Sequence, residues 1–196
     1  MTDDPTRPFV VAIGASAGGL QAIQELLAEL PENFAAAVVI AQHSMPGAQL
    51  DQILRLKSPL PVRLLEDGDV LRAGTVYVTP AATHAFCQME TIRLSPEVKH
   101  AGYRPSIDAL FMTLAASFRE RAIAVVLSGT MKDGMRGAQV IHDTGGRTVV
   151  QNPDEAQFES MPMNVILMDH PQEILTASGL GKWLRDEVGT SPTTSN

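Results

Sequence analysis

The sequence predicts an α/β domain in which a parallel sheet is covered by helices on both faces. Three observations carry this reading. Short, continuously apolar, β-branched runs alternate with longer runs whose apolar residues recur every three to four positions. The apolar runs end abruptly in small residues, as strands do where they turn directly into helices. No internal repeat or low-complexity linker interrupts the 196 residues, a length suited to one domain with a full core. Strands buried on both faces read as unbroken apolar runs, and that is the pattern of a covered parallel sheet.

In chain order, Phe9 to Ile13 reads as a buried strand. Gly19 to Leu30 reads as a helix with Leu20, Ile23, Leu26, Leu27 and Leu30 on one face, stopped by Pro31. Ala36 to Ala41 is a second buried strand, Gln49 to Leu56 a helix and Val62 to Leu65 a short strand. Gly74 to Pro80 and Ala85 to Leu94 read as short strands around a turn, a hairpin. Pro105-Ser106-Ile107-Asp108 opens a helix that runs to Arg119. Ala122 to Leu127 is the strongest buried strand of the second half, with Ser128-Gly129-Thr130 as its exit turn. Gly134 to His142 is the next helix, and Gly145-Gly146 leads into a strand over Thr148 to Gln151. The remainder, to Glu187, reads as mainly helical. The implied boundaries are a disordered tail over 1–8, one domain over 9–188 and a polar tail over 189–196.

Composition excludes several classes of function. The chain is 44% hydrophobic with a net charge of −7, which argues against a general nucleic-acid binder and a polybasic membrane contact. The longest apolar run, Phe34 to Ala41, is far too short to span a bilayer, and the acidic start Met-Thr-Asp-Asp-Pro lacks a signal-peptide core. The lone Cys87 excludes an internal disulfide, fits a reducing cytoplasm and reads as a buried inert thiol. His43, His84, His100, His142 and His170 include no close pair, and there is neither a His-x-x-x-His nor a Cys-x-x-Cys, so no metal is expected.

Chemistry-bearing residues of a parallel sheet gather at the carboxyl ends of its strands. Three polar residues stand there. Ser16 follows the first strand, in the turn Gly14-Ala15-Ser16-Ala17-Gly18-Gly19; His43 follows the second; Asp133 follows the late strand. The glycines permit a sharp strand-to-helix turn. That turn would present the Ser16 hydroxyl beside free backbone N–H groups and the positive end of a helix dipole. A serine nucleophile needs this setting, because the oxyanion it creates must be met by fixed donors. A histidine to take the serine proton and a carboxylate to hold its tautomer complete a triad. The order Ser…His…Asp differs from the Ser…Asp/Glu…His of the α/β-hydrolases, so the triad belongs to another topology. Each residue alone has a plainer reading: Ser16 in a tight junction, His43 in a loop or cap, Asp133-Gly134 as a turn or helix cap. Their joint placement at one sheet edge favours catalysis.

Two other classes compete. A glycine turn before a helix can cradle a phosphate or nucleotide. Here, however, Ser16 occupies the second glycine position of the dinucleotide fingerprint, and no Walker lysine follows. A catalytically retired interaction domain is opposed by the intact Ser16, His43 and Asp133.

Taken together, Ile-Gly-Ala-Ser-Ala-Gly-Gly (13–19), Gln-His (42–43), Gly-Thr-Val-Tyr-Val-Thr-Pro (74–80), Arg-Pro-Ser-Ile-Asp-Ala-Leu-Phe (104–111), Leu-Ser-Gly-Thr-Met-Lys-Asp-Gly (127–134) and Met-Pro (161–162) resemble the catalytic domain of the CheB-type chemoreceptor methylesterases. The resemblance implies a doubly wound, three-layer α/β sandwich with a mostly parallel sheet and an antiparallel hairpin. It implies a cytoplasmic serine hydrolase that removes methyl esters from glutamate side chains of chemoreceptors, with some members also deamidating glutamine. Ser16 is then the nucleophile, His43 the base and Asp133 the orienting carboxylate, with no cofactor. The substrate would be the methylated cytoplasmic domain of a receptor, and a separate receiver or methyltransferase domain would be a partner. Backbone donors near Ala17 and around Thr130 would hold the oxyanion. From the residues themselves, Gln42 reads either as a group that helps hold the oxyanion or ester or as one that satisfies backbone groups, and Arg104 either as a substrate-side cation facing acidic receptor helices or as a solvated helix-start arginine. Thr130 stands where the family usually has methionine, and Ala17 where it often has threonine. Only eight residues precede the first strand, so control by a linked N-terminal receiver is not carried over. Met45, Met131, Met161 and Met163 are read as core, with an adaptable rim for a protein substrate as the alternative.

Overall fold

The computed structural model describes residues 8–44, 47–96, 103–168 and 171–191. Its centre is a seven-stranded parallel sheet. The strands are β1 (Phe9–Ala15), β2 (Ala36–Gln42), β3 (Val62–Leu64), β4 (Val76–Val78), β7 (Ala122–Val126), β8 (Arg147–Gln151) and β9 (Glu173–Leu175), in the spatial order β3-β4-β2-β1-β7-β8-β9. An antiparallel hairpin, β5 (His84–Gln88) with β6 (Thr91–Ser95), stands apart from the sheet. The helices are α1 (Gly19–Leu27), α2 (Leu50–Arg55), α3 (Ile107–Phe118), α4 (Met135–Asp143), α5 (Ser160–Met168) and α6 (Ala177–Val188).

Alternation along the central strands divides the core. Val10 and Ala12 of β1, with Ala122, Ala124 and Val126 of β7, pack against α3, α4, α5 and the hairpin. Val11, Ile13 and Ala15, with Ile123, Val125 and Leu127, pack against α1, α2 and α6. These two apolar interfaces on one sheet make the three layers, and the expected α/β sandwich is the observed one.

One local expectation needs correction. Gly74 to Pro80 does not pair with the following segment: β4 lies between β3 and β2 in the main sheet, and the hairpin is closed within 84–95. The reason is burial, since Val76, Tyr77 and Val78 are all buried and need cover on both faces. The C-terminal stretch is mainly helical as expected, through α5 and α6, and Glu173–Leu175 adds β9 at the sheet edge. That strand is three residues long and half exposed, too short for an apolar period to betray it. Of the tails expected over 1–8 and 189–196, residues 1–7 and 192–196 lie outside the described residues, whereas 189–191 are held against the start of β2: Ala35 N–H donates to the Gly189 carbonyl at 3.2 Å and Ser191 N–H to the Asn33 carbonyl at 2.8 Å. Among the described residues no helix is long and apolar enough to cross a membrane.

The β1 exit is built on close approach. A side chain at Gly14 would place its Cβ 2.5 Å from Ile107 Cγ2 and 3.2 Å from Phe111. The missing side chain lets the start of α3 lie directly on the end of β1. Gly14→Ala is expected to destabilise the domain by about 1–3 kcal/mol through overpacking, measured as a lower urea midpoint at unchanged m-value.

Candidate active site

Parallel register brings the candidate residues together. β1 and β2 are aligned with Ala15 opposite Gln42, so the next residues, Ser16 and His43, leave the sheet side by side. β1 and β7 are aligned with Gly14 opposite Val126, which brings Ser128 beside Ser16, and Ser16 N–H donates to the Ser128 carbonyl at 3.0 Å. His43 N–H donates to the Ala15 carbonyl at 3.1 Å, extending the ladder one residue past the strands. The chain then turns at Gly18 with φ 73°, a conformation that suits glycine, and α1 begins.

At this edge Ser16, His43 and Asp133 form one hydrogen-bonded line. Ser16 Oγ lies 3.2 Å from His43 Nδ1, and His43 Nε2 lies 2.8 Å from Asp133 Oδ2. An ionised carboxylate only accepts, so Nε2 carries the ring proton and Nδ1 is left to take the serine proton. Asp133 is 2% exposed and its charge is met by backbone. Oδ2 accepts from Ile107 N–H at 2.8 Å, and Oδ1 accepts from Asp108 N–H at 2.9 Å and Gly134 N–H at 3.1 Å. Ile107 and Asp108 are the first residues of α3, so the carboxylate sits at the positive end of that helix. Ser106 caps the same helix, its Oγ accepting from Ala109 N–H at 3.2 Å.

Ser16 opens on a cleft of about 780 Å³ lined by Ser16, Ala17, Gly18, Gln42 and His43, by α1 through Leu20, Gln21, Gln24, Glu25 and Ala28, and by Lys57 and Gln157. Among the described residues the N–H groups of Ala17, Gly18 and Thr130 make no hydrogen bond. Gln42 Oε1 is buried without a partner. Thr130 and Arg104 are not among the lining residues, and Arg104 Nη1 donates to the Pro96 carbonyl at 3.3 Å. The methionines divide: Met161 is 1% exposed and packed against Gly129, whereas Met131 is 50% and Met163 37% exposed. Asn164 Nδ2 donates to the Met131 carbonyl at 2.8 Å, tying the two exposed methionines' segments together. Met45, His100 and His170 lie outside the described residues. His84 is buried and accepts from Ser106 N–H at 3.2 Å, and the Cys87 thiol is buried and donates to the Met89 carbonyl at 3.3 Å.

Several further residues surround the triad. The Tyr103 ring lies flat on the His43 imidazole, with centroids 5.1 Å apart and planes within 4°. Ser128 Oγ donates to the Ala17 carbonyl at 2.9 Å and accepts from Phe158 N–H at 3.0 Å, locking the nucleophile turn to the loop before α5. Asp108, beside Asp133, accepts from Gly137 N–H at 2.8 Å. Burial pushes the Asp108 carboxyl above the usual carboxylate range, the Asp133 charge adds to that, and the Gly137 hydrogen bond opposes it. The folded state therefore holds the Asp108 proton more tightly than the unfolded chain. Its contribution to stability is present below the ordinary value of 3.8 and is lost as pH rises through the raised folded value. Asp108→Asn keeps an acceptor for Gly137 and is expected to raise Tm at pH 7, with the gain shrinking towards pH 4, measured by thermal melts across that range.

A family profile described as CheB methylesterase matches residues 11–184. Protein-glutamate methylesterase/protein-glutamine glutaminase 4 of Myxococcus xanthus (strain DK1622) is 35% identical over 182 residues, 91% of this chain and 52% of the relative. Protein-glutamate methylesterase FrzG of Myxococcus xanthus is 35% identical over 188 residues, 94% of this chain and 56% of the relative. The chain thus spans about half the length of these curated relatives. The crystal structure of the Thermotoga maritima CheB methylesterase catalytic domain superposes with a TM-score of 0.88 at 30% identity, covering 93% of this chain and 100% of that one. With a profile match over most of its length and a fold shared with a solved catalytic domain, the chain belongs to the CheB methylesterase family.

Proposed function

We propose that this chain is a cytoplasmic protein-glutamate methylesterase that hydrolyses γ-glutamyl methyl esters on chemoreceptor helices by acyl transfer through Ser16. The observation that carries the reading is the line Ser16–His43–Asp133 at the carboxyl edge of β1, β2 and β7, beside unpaired backbone donors. His43 Nδ1 takes the Ser16 proton as Oγ attacks the ester carbonyl, and the carbonyl electron pair moves onto oxygen. The N–H groups of Ala17, Gly18 and Thr130 are free to meet that oxyanion. Gln42 can meet the ester only through its Nε2–H, since the ester has no donor for the buried Oε1. The intermediate collapses, the C–O bond to methoxide breaks, and the Nδ1 proton leaves on methanol. A water, deprotonated by Nδ1, then attacks the glutamyl-Ser16 ester and releases glutamate. A glutamine side chain would give ammonia by the same steps, in keeping with the glutaminase named in the relatives. The reaction consumes what a protein methyltransferase makes, so such an enzyme must act on the same receptor, and a receiver domain is the expected regulator.

A carboxylate is needed at 133 on both sides of the residue. In Asp133→Asn the amide NH₂ must face either His43 Nε2–H and Ile107 N–H, or Asp108 and Gly134 N–H. Ser16→Ala and His43→Ala are expected to lower kcat for methanol release from methylated receptor by at least about 10³-fold, and Asp133→Asn by about 10³–10⁴-fold. Equal rates in wild type and Ser16→Ala would overturn the nucleophile assignment.

The exposed Met131 and Met163 supply a flexible apolar rim for a protein substrate. Met131→Ser with Met163→Ser is expected to lower the ratio of kcat/KM for receptor to that for p-nitrophenyl acetate by about tenfold, the loss of one or two apolar contacts. Arg104 on the adjoining loop is the cation expected to favour acidic receptor helices.

A further inference from the structure

Tyr103 is assigned no part in the acyl transfer described above, yet its ring covers one face of the catalytic base. We infer that Tyr103 is a positioning residue for His43, acting through its aromatic face. The inference rests on the methylesterase reading only in taking His43 as the base.

The geometry leaves His43 one freedom that its hydrogen bonds do not remove. Nδ1 is held towards Ser16 and Nε2 towards Asp133. Beyond these contacts the ring plane is set by the χ1 and χ2 torsions, and χ2 of a histidine is broad, so the imidazole can tilt by small angles while both hydrogen bonds change little in length. A contact on the ring face opposes that tilt, and Tyr103 supplies one, with the planes within 4° of parallel. The centroid separation of 5.1 Å is that of an offset stack, the arrangement two aromatic rings prefer.

The same face acts on charge. His43 becomes an imidazolium each time it takes the Ser16 proton, and the π-face of an aromatic ring attracts a cation held against it. The His43 side chain is 14% exposed, so this attraction operates with little water between the rings. The interaction is stronger in the transition state than in the resting enzyme, and such an interaction raises kcat rather than lowering KM. The phenol hydroxyl has no part in either effect, so phenylalanine should replace tyrosine and an aliphatic residue should not.

The test compares wild type, Tyr103→Phe and Tyr103→Leu on both methylated receptor and p-nitrophenyl acetate, with Ser16→Ala as the blank and thermal melts to show that each variant is folded. The Leu variant is expected to lose about tenfold in kcat on both substrates at nearly constant KM, and the Phe variant to stay within about twofold of wild type. The ring-current shift on the His43 ring protons, read by NMR, should be lost in the Leu variant and kept in the Phe variant. A folded Leu variant with wild-type kcat overturns the inference, as does a rise in KM alone, which would make Tyr103 a substrate contact. A Phe variant as slow as the Leu variant also overturns it, since the hydroxyl would then be the active part. Activity that survives in Ser16→Ala would instead count against the methylesterase reading, leaving the two failures distinct.

Discussion

The seat of the Asp133 carboxylate is the constraint on which the rest of this structure turns. A charge 2% exposed survives in a protein interior only if its lone pairs are met, and here three backbone N–H groups and one imidazole N–H meet them. Two of the backbone donors open α3, whose buried face packs on β1 and β7. The third opens the turn into α4. One side chain therefore ties the β7 exit loop to the starts of two helices, and its remaining contact aims His43 at Ser16. The site inherits its rigidity from the core.

That arrangement explains why small residues surround chemistry that itself needs none of them. Gly14 lets Ile107 come close enough to β1 for its N–H to reach Asp133. Gly129 leaves room for both Met161 and Ser16, and Gly18 takes a left-handed turn against Ser128 Oγ and Gln157. Each glycine removes a Cβ where two layers meet at the sheet edge. The outcome is a serine only 7% exposed yet adjoining an open cleft.

Much of this was legible before any coordinates. Buried parallel strands cannot avoid continuous apolar runs, so β1, β2, β7 and β8 announced themselves, and the carboxyl-end rule then led to Ser16, His43 and Asp133. What escaped has a common physical cause. The strand β9 has three residues, and β4 sits in the main sheet rather than the hairpin because of what covers it. Tyr103 and Gln157 carry no local mark of their position, because each meets the site from a segment far away along the chain. Met161 and Met163, two residues apart, have opposite fates because one faces Gly129 and the other faces out.

The sequence by itself determined the alternation of strand and helix, the turns in which Ser16, His43 and Asp133 stand, and the exclusion of a helical membrane span by hydropathy. These depend on period, on glycine and on local composition, which neighbouring residues settle among themselves. Tertiary structure alone decided which His43 nitrogen faces Ser16, that the Asp133 charge rests on the start of α3, and that an aromatic ring covers His43. Those facts depend on strand register and on layers packed from residues 90 or more positions apart, as in the His43–Asp133 pair and the bond from Ser128 to the Ala17 carbonyl. Contacts of that kind exist only once the chain has closed on itself.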